Sequence, residues 1–193
     1  MKEVNEYSIQ EFYDKPTATL TYVVFHIKSR DAVVIDSVLN FDGASGEYWL
    51  KSCEEVADFV LENKLKIHYI LETHAHADHL SGSQHLKSLY PNALVGIGKN
   101  ITVVQQVFKE LLCLDLEEDG SQFDVLFDDG QTVSAGELEF TIRFTPGHTP
   151  ACTTLCFNGF VFTGDALFMP DYGTGRCDFP KGSASELYDS IVN

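Results

Sequence analysis

The feature that most constrains this chain is the run Thr73-His74-Ala75-His76-Ala77-Asp78-His79, set directly after the short apolar stretch 67–71. Such a stretch, bounded by polar residues, reads as a buried strand, and side chains gather where a strand ends. His74, His76, Asp78 and His79 fall within six positions. His74 and His76 alternate by two, so extended backbone points them the same way. Asp78 and His79 follow as the chain turns toward a helix, where they can face a neighbouring position. Imidazole and carboxylate together suit zinc or iron. A solvated polar loop or a capping aspartate is the plainer alternative, but three histidines and an aspartate rarely crowd one short loop for that purpose.

Two later segments give this run its company. Thr145-Pro146-Gly147-His148-Thr149-Pro150 uses two prolines and a glycine to shape a loop that aims one histidine. Thr163-Gly164-Asp165 follows a strand and offers a carboxylate. Between them Asn158-Gly159 is a strong tight-hairpin signal. Counting outward from that turn sets Asp165 roughly opposite Cys152, with His148 a few residues further along the same arm. One hairpin can therefore bring His148 and Asp165 to the same end of a sheet. Alone, Asp165 reads equally as a turn or N-cap carboxylate.

The rest of the chain reads as alternating strands and helices. Residues 19–27 and 32–35 are rich in β-branched and aromatic types, and the polar stretch 28–31 joins them as a hairpin. A loop carrying Gly43 and Gly46 follows Asp36. Trp49, Cys53, Val56 and Val60 then recur at helical spacing to about Asn63. Leu86 and Leu89 mark a helix closed by Pro91. Residues 94–97 form a strand, and Ile101–Leu112 a helix with Val104, Val107, Phe108 and Leu111 on one face, as core or oligomer surface. Residues 114–130 read as an acidic connector. Residues 132–133, Leu138–Phe144, Thr153–Phe157 and 160–163 are strands, and 186–192 a last helix. Several strand pairs are hairpins, which points to a mixed α/β sheet with helices outside it.

Composition excludes several partners. The chain has 193 residues, 44% of them hydrophobic, which suits one packed domain. A formal charge of −16 repels phosphate backbones and anionic lipid, so no nucleic acid and no membrane are expected as partners. No apolar run approaches the roughly 18 residues of a membrane span. The acidic, polar residues 1–15 lack the features of a targeting segment, so a cytoplasmic location is expected. Five cysteines without a Cys-x-x-Cys pair read as reduced thiols.

The three ligand segments, in this order, resemble the metallo-β-lactamase superfamily: the T-H-x-H-x-D-H run, the later histidine loop, then the G-D bridge. The resemblance covers the chain from about Thr17 onward. It implies an αβ/βα sandwich with metal at one edge of the two sheets. The runs THAHADHLSGS, TPGHTPAC and FTGDALF, and Gly175-Arg176-Cys177-Asp178-Phe179, are most similar to the persulfide dioxygenases and their bacterial β-lactamase-hydrolase-like relatives. So are the stretches 169–176 and 36–42. Glutathione-thioester hydrolases of the glyoxalase II type share the first motifs but usually lack the Arg-x-Asp-Phe stretch.

That resemblance implies two ligand schemes. In the dioxygenase scheme His74, His148 and Asp165 hold one Fe(II), whose open positions take O₂ and the terminal sulfur of glutathione persulfide, leading to sulfite. His76, Asp78 and His79 are then supporting groups or a vestigial second site. In the hydrolase scheme two Zn²⁺ are held, one by His74, His76 and His148, the other by Asp78 and His79, with Asp165 bridging. A hydroxide on the metal then attacks a thioester carbonyl, and Asp78 and His79 count as catalytic. The family supplies a further histidine after the last helix, and His148 is the last histidine here. The expected organisation is therefore one domain over 1–193 lacking the family's C-terminal strands and helix. A third scheme is an inactive metal-binding sensor or partner-binding domain. Relatives often form homodimers, and a homodimer is one arrangement open to this chain.

Arg176 reads either as an anchor for a glutathione carboxylate or as the partner of Asp178, and Tyr172 can line the same pocket. Asp36, at a strand end, is similar to a family position that supports the metal loop, or is a plain turn residue. Cys152 and Cys156 lie four apart on an expected strand, as small buried hydrophobes or a redox pair. His26, His68 and His85 have no evident ligand partners.

Overall fold

The computed structural model describes residues 1–193, which divide into two compact units. The first comprises Met1–Glu72, His76–Val95 and Ser134–Glu139; the second comprises Thr73–Ala75, Gly96–Val133 and Phe140–Asn193.

The first unit opens with an antiparallel meander of β1 (Lys2–Val4), β2 (Tyr7–Asp14), β3 (Thr19–His26) and β4 (Asp31–Ile35). Val23, Val24, Val33, Val34 and Ile35 are completely buried there. β-Branched side chains suit this pleated, crowded surface. Next come β5 (Val38–Phe41), β6 (Tyr48–Trp49), α1 (Lys51–Glu62) and β7 (Lys66–Leu71). β7 lies parallel to β4, so the long connection containing α1 is the crossover that parallel pairing requires. α1 buries Cys53, Val56 and Val60 of the stripe its spacing predicts, while Trp49 lies outside it in β6 and is exposed. Then follow β8 (Leu80–Ser81), α2 (Ser83–Leu89) and β9 (Leu94–Gly98), with β5 pairing antiparallel to both β6 and β8.

The second unit receives β9 at residue 96 and continues through α3 (Ile101–Leu112), β10 (Val125–Phe127), parallel to β9, half of β11 (Thr132–Ala135) and most of β12 (Leu138–Phe144). It closes with β13 (Thr153–Phe157), β14 (Phe160–Phe162), a 3₁₀ turn at Gly164–Ala166 and α4 (Ala184–Val192). β12, β13 and β14 are antiparallel neighbours. Asn158-Gly159 makes the β13–β14 turn, with Gly159 at φ 99°, a conformation that disfavours a side chain. Phe140, Phe157 and Phe160 stack with ring centroids 5.1 and 5.0 Å apart, fastening the hairpin to β12.

Residues 1–15, read from the sequence only for targeting features, carry two strands, and β2 pairs with β3 over eight positions. Other expectations need correction. The loop after Asp36 contains β5 and β6, and the acidic connector contains β10. Leu111 is 61% exposed, so the α3 stripe is core only at Val104, with Phe108 packed beside Ile97, Ile101 and Ala151. None of the five cysteines is in a disulfide. Cys152 precedes β13 and is buried, with the Thr149 N–H directed at its sulfur at 3.3 Å.

His68 has a partner that the sequence hid. Its Nε2 lies 2.8 Å from Asp31 Oδ1, while the Glu137 backbone N–H donates to Asp31 Oδ2 at 3.1 Å. Gly136 must be glycine, because φ is +65° and a Cβ would sit 2.2 Å from the Asp31 carboxyl carbon. Burial pushes the Asp31 carboxyl up, but hydrogen bonds from Ser29, His68 and Glu137 outweigh it and bring its pKa to about 2. A depressed folded pKa stabilises above the ordinary carboxylate value of 3.8 and fades as pH falls toward about 2. Asp31→Asn should therefore cost about 1–3 kcal/mol near neutrality, by leaving buried donors poorly paired. Urea midpoints of the two proteins should converge as the pH drops through that window; a constant gap would show that ionised Asp31 is not the stabilising species.

Candidate metal centre

In the second unit, ligand-type atoms of His74, His148 and Asp165 lie within 4.8 Å of one another. His74 Nε2 is 3.8 Å and His148 Nε2 3.4 Å from Asp165 Oδ2. The rings meet edge to face with centroids 5.1 Å apart. Both histidines are buried, and Asp165 is about one-third exposed at 34%, so the group opens on the carboxylate side.

Local structure explains the convergence. Thr153 donates both its backbone N–H and its hydroxyl to the Thr73 carbonyl, each at 2.9 Å, which ties the segment bearing His74 to the start of β13. The β12–β13 connection is closed by Thr145 N–H donating to Cys152 O at 2.9 Å, with His148 at its tip. Gly147 lies at φ +141° with Leu187 of α4 so near that a Cβ would fall 2.4 Å from it. Ser183 N–H donates to Gly147 O at 2.8 Å, so α4 holds the loop from behind. Gly164, at φ +50°, lets the Asp165 turn pass against Thr73, where a Cβ would come within 2.5 Å of the threonine hydroxyl.

The far nitrogen of each ring is also held. His148 Nδ1 lies 2.7 Å from the Arg176 carbonyl. A carbonyl only accepts, so that nitrogen carries the proton and Nε2 keeps its lone pair toward Asp165. His74 Nδ1 meets the Thr73 hydroxyl at 3.0 Å. This is the arrangement metal-ligating histidines adopt, with one nitrogen tethered and the other turned toward the shared carboxylate. The donor set therefore fits a divalent transition metal.

In the first unit, His76, Asp78 and His79 form a second group within 4.8 Å. The two rings lie 4.2 Å apart. His79 Nδ1 is 3.3 Å from Asp78 Oδ1 and 3.2 Å from Thr19 Oγ1, while its buried Nε2 has no hydrogen-bond partner. Asp78 is held at a pKa of about 2, chiefly by the hydrogen bond from His79. His76 turns Nε2 toward Asp36 and Glu72, each at 3.2 Å. Burial alone would lower its pKa, but the two carboxylates raise it well above the usual imidazole value. Asp36, Glu72 and His76 thus make a third acid–imidazole group. Asp36 sits at φ 51°, left-handed backbone that aspartate tolerates, and its carbonyl accepts from the buried Thr21 hydroxyl at 2.7 Å.

Arg176 pairs with Asp178 through Nε at 2.5 Å and Nη2 at 2.8 Å, and its guanidinium lies 4.9 Å from the Phe179 ring centre. Phe179 in turn packs edge-on against His148, with centroids 5.2 Å apart. Tyr172 is 79% exposed. Sequence reasoning missed Glu72, Thr19 and the Arg176 carbonyl. Only Glu72 left a readable trace, as an acidic residue between a buried strand end and the histidine run.

The chain belongs to the metallo-β-lactamase superfamily, whose family model matches residues 14–193. It is 42% identical over 190 residues to glyoxylase B2 of Dictyostelium discoideum, covering 97% of this chain and 65% of that protein. It is 34% identical over 185 residues to the mitochondrial persulfide dioxygenase ETHE1 of Bos taurus, covering 95% of this chain and 61% of that protein. The chain thus spans less than two thirds of either relative. The crystal structure of ETHE1 from Myxococcus xanthus superposes with a TM-score of 0.77 at 30% identity, covering 96% of this chain and 68% of that one. The mixed α/β architecture is the metallo-β-lactamase fold, and the chain is of a metalloenzyme family. No helix is long and apolar enough to cross a membrane.

Proposed function

We propose that this chain carries the catalytic centre of a persulfide dioxygenase, with one Fe(II) held by His74, His148 and Asp165, acting on glutathione persulfide and O₂. The observation that carries this reading is the approach of two imidazole Nε2 atoms to one carboxylate oxygen, at 3.8 and 3.4 Å. Two histidines and one carboxylate are the donor set of non-haem Fe(II) oxygenases, and they leave positions open for two reactants. Bound iron supplies the activation of O₂. The balanced reaction takes one persulfide, one O₂ and one water to thiol, sulfite and two protons, with the terminal sulfur oxidised.

The chain's own residues orient. The Arg176 carbonyl keeps the His148 proton on Nδ1. The Arg176 guanidinium, 65% exposed, is a planar fork already committed to a carboxylate, so a carboxylate of a glutathione-type substrate can replace Asp178 on it. The exposed Tyr172 is proposed to line the same approach. The relatives' names agree with a small thiol-derived substrate, ETHE1 being called a persulfide dioxygenase.

One observation favours a second reading, a zinc hydrolase of glutathione thioesters. It is the further donor group His76, Asp78 and His79 with a bare, buried His79 nitrogen. The name glyoxylase B2 fits this alternative.

Metal analysis of untagged protein purified without added metal, combined with oxygen-electrode assays, separates the two. About one iron per chain is expected, with O₂ uptake on glutathione persulfide matching sulfite formed. Zinc near two per chain with thioester cleavage and no O₂ uptake would replace the dioxygenase reading by the hydrolase one.

A further inference from the structure

We propose that the start of β7 carries a binding site for a small hydroxy acid with an apolar body, in which His68 accepts from the ligand hydroxyl and Lys66 meets its carboxylate. The site lies wholly in the first unit, at the end of β7 away from the histidine run.

It begins with an irregularity in strand pairing. In the parallel ladder Ala32 stands opposite Ile67 and Val33 opposite Tyr69, so His68 has no opposite number on β4. It is the extra residue of a bulge, and a bulge re-aims the side chain it carries. Here the ring turns to Asp31, with Nε2 2.8 Å from Oδ1. The Asp31 carboxyl has a pKa of about 2, so near neutrality its oxygens only accept, and Nε2 holds the proton. That carboxylate is fixed in its turn, by the Glu137 N–H on Oδ2 at 3.1 Å and by the close approach of Gly136. The neutral ring is therefore held with its lone pair on Nδ1, and no protein donor engages that nitrogen.

The His68 side chain, 36% exposed, forms part of the wall of a cavity of about 410 Å³, within the size range of small-molecule sites. Leu65, Ile67, Leu89, Tyr90 and Pro91 make the rest of that wall largely apolar. Two of its polar groups are already occupied. The Tyr90 hydroxyl donates to the Ala57 carbonyl at 3.4 Å, and the Ala93 carbonyl accepts from the Lys87 ammonium at 2.5 Å. Lys66, also in the wall, supplies charge. It is exposed, and no carboxylate pairs with it. In a chain of net charge −16, an unpaired ammonium beside an imidazole acceptor is a local exception that suits an anion. The wall thus makes three demands: a donor for Nδ1, an anion for Lys66 and an apolar body for the remainder. Lys66 and His68 are two residues apart, so the donor and the anion must be close together on the ligand. A hydroxyl beside a carboxylate, on an apolar frame, meets all three.

Ligand-observed NMR titration of the full chain with mandelate tests the site, with phenylacetate, the same acid without its hydroxyl, as the comparison. The buffer is set at about pH 8, above the ordinary imidazole range. Mandelate should bind, and phenylacetate about 2–10-fold more weakly, the worth of one hydrogen bond. In His68→Leu the two acids should bind alike. Lys66→Ala should weaken both by about 2–5-fold, as loss of an exposed charge pair does, and keep mandelate ahead. Circular dichroism checks that each variant is folded, and the wild-type comparison of the two acids needs no variant at all. Absence of mandelate binding, equal affinities in wild type, or unchanged affinities in Lys66→Ala overturn the proposal. So does a mandelate preference that persists in His68→Leu, the result that chelation to a metal elsewhere on the chain would give.

Discussion

His148→Ala should abolish tight metal binding while the protein stays folded, and His74→Ala and Asp165→Ala should do the same. The three side chains come from the segment after β7, the β12–β13 loop and the turn after β14, and nothing else in the second unit offers a ligand-type group within the same 4.8 Å cluster. Losing a partner behind a ligand already costs about 10–100-fold in metal affinity, so losing a ligand itself should cost at least about 100-fold. The fold should survive because each substitution removes a polar group from one end of a sheet whose core is Phe140, Ile142, Leu155 and Phe157. Far-UV circular dichroism checks the fold, and elemental analysis after desalting checks the metal. Full occupancy and activity in any one of the three variants would sink the assignment.

Gly175→Ala should damage the same centre without touching a ligand. A Cβ there would lie 2.4 Å from the Asp165 carbonyl oxygen, 3.0 Å from His148 Nδ1 and 3.2 Å from Asp165 Cβ. The nearest of these is backbone and cannot swing aside, since Gly175 N–H itself donates to that carbonyl at 2.9 Å. The strand of chain carrying Gly175 must move, and the Arg176 carbonyl that orients His148 moves with it. A stability loss of about 1–3 kcal/mol is expected from the overpacking, with metal affinity down roughly 10–100-fold from the lost tether. Gly173→Ala is the control. Its φ is +79° with nothing within 4 Å of a new Cβ, so it should cost about 1–2 kcal/mol of backbone strain and leave metal affinity unchanged. Equal metal loss in both variants would mean that loop stability, and not the His148 tether, governs the site.

Much of this was legible from residue types. Asn158-Gly159 announced the β13–β14 hairpin, whose pairing reaches out to Leu155 and Phe162, with Asp165 beyond it in the 3₁₀ turn. The bounds of α3, Ile101–Leu112, were readable from helical spacing, although of its expected face Val104 is buried and Leu111 is exposed. β5, β6 and β8 were not readable. They are strands of two to four residues that exist only because Val38 meets Ser81 and Asn40 meets Trp49 across the sheet. β10 was hidden because its three residues sit in an acidic stretch and gain strand character from β9 alone.

Residue identity settled which groups could bind a cation and on which short segments they would ride. Ligand chemistry and strand periodicity are local properties, carried by each side chain wherever it goes. Folding decided which ring nitrogen of His148 and of His79 is held. That depends on whether a carbonyl 28 residues away, as for His148 and Arg176, or a hydroxyl 60 residues away, as for His79 and Thr19, faces that side of the ring. Such oxygens are common to nearly every residue, so nothing in the linear chain marks them out until distant strands pair.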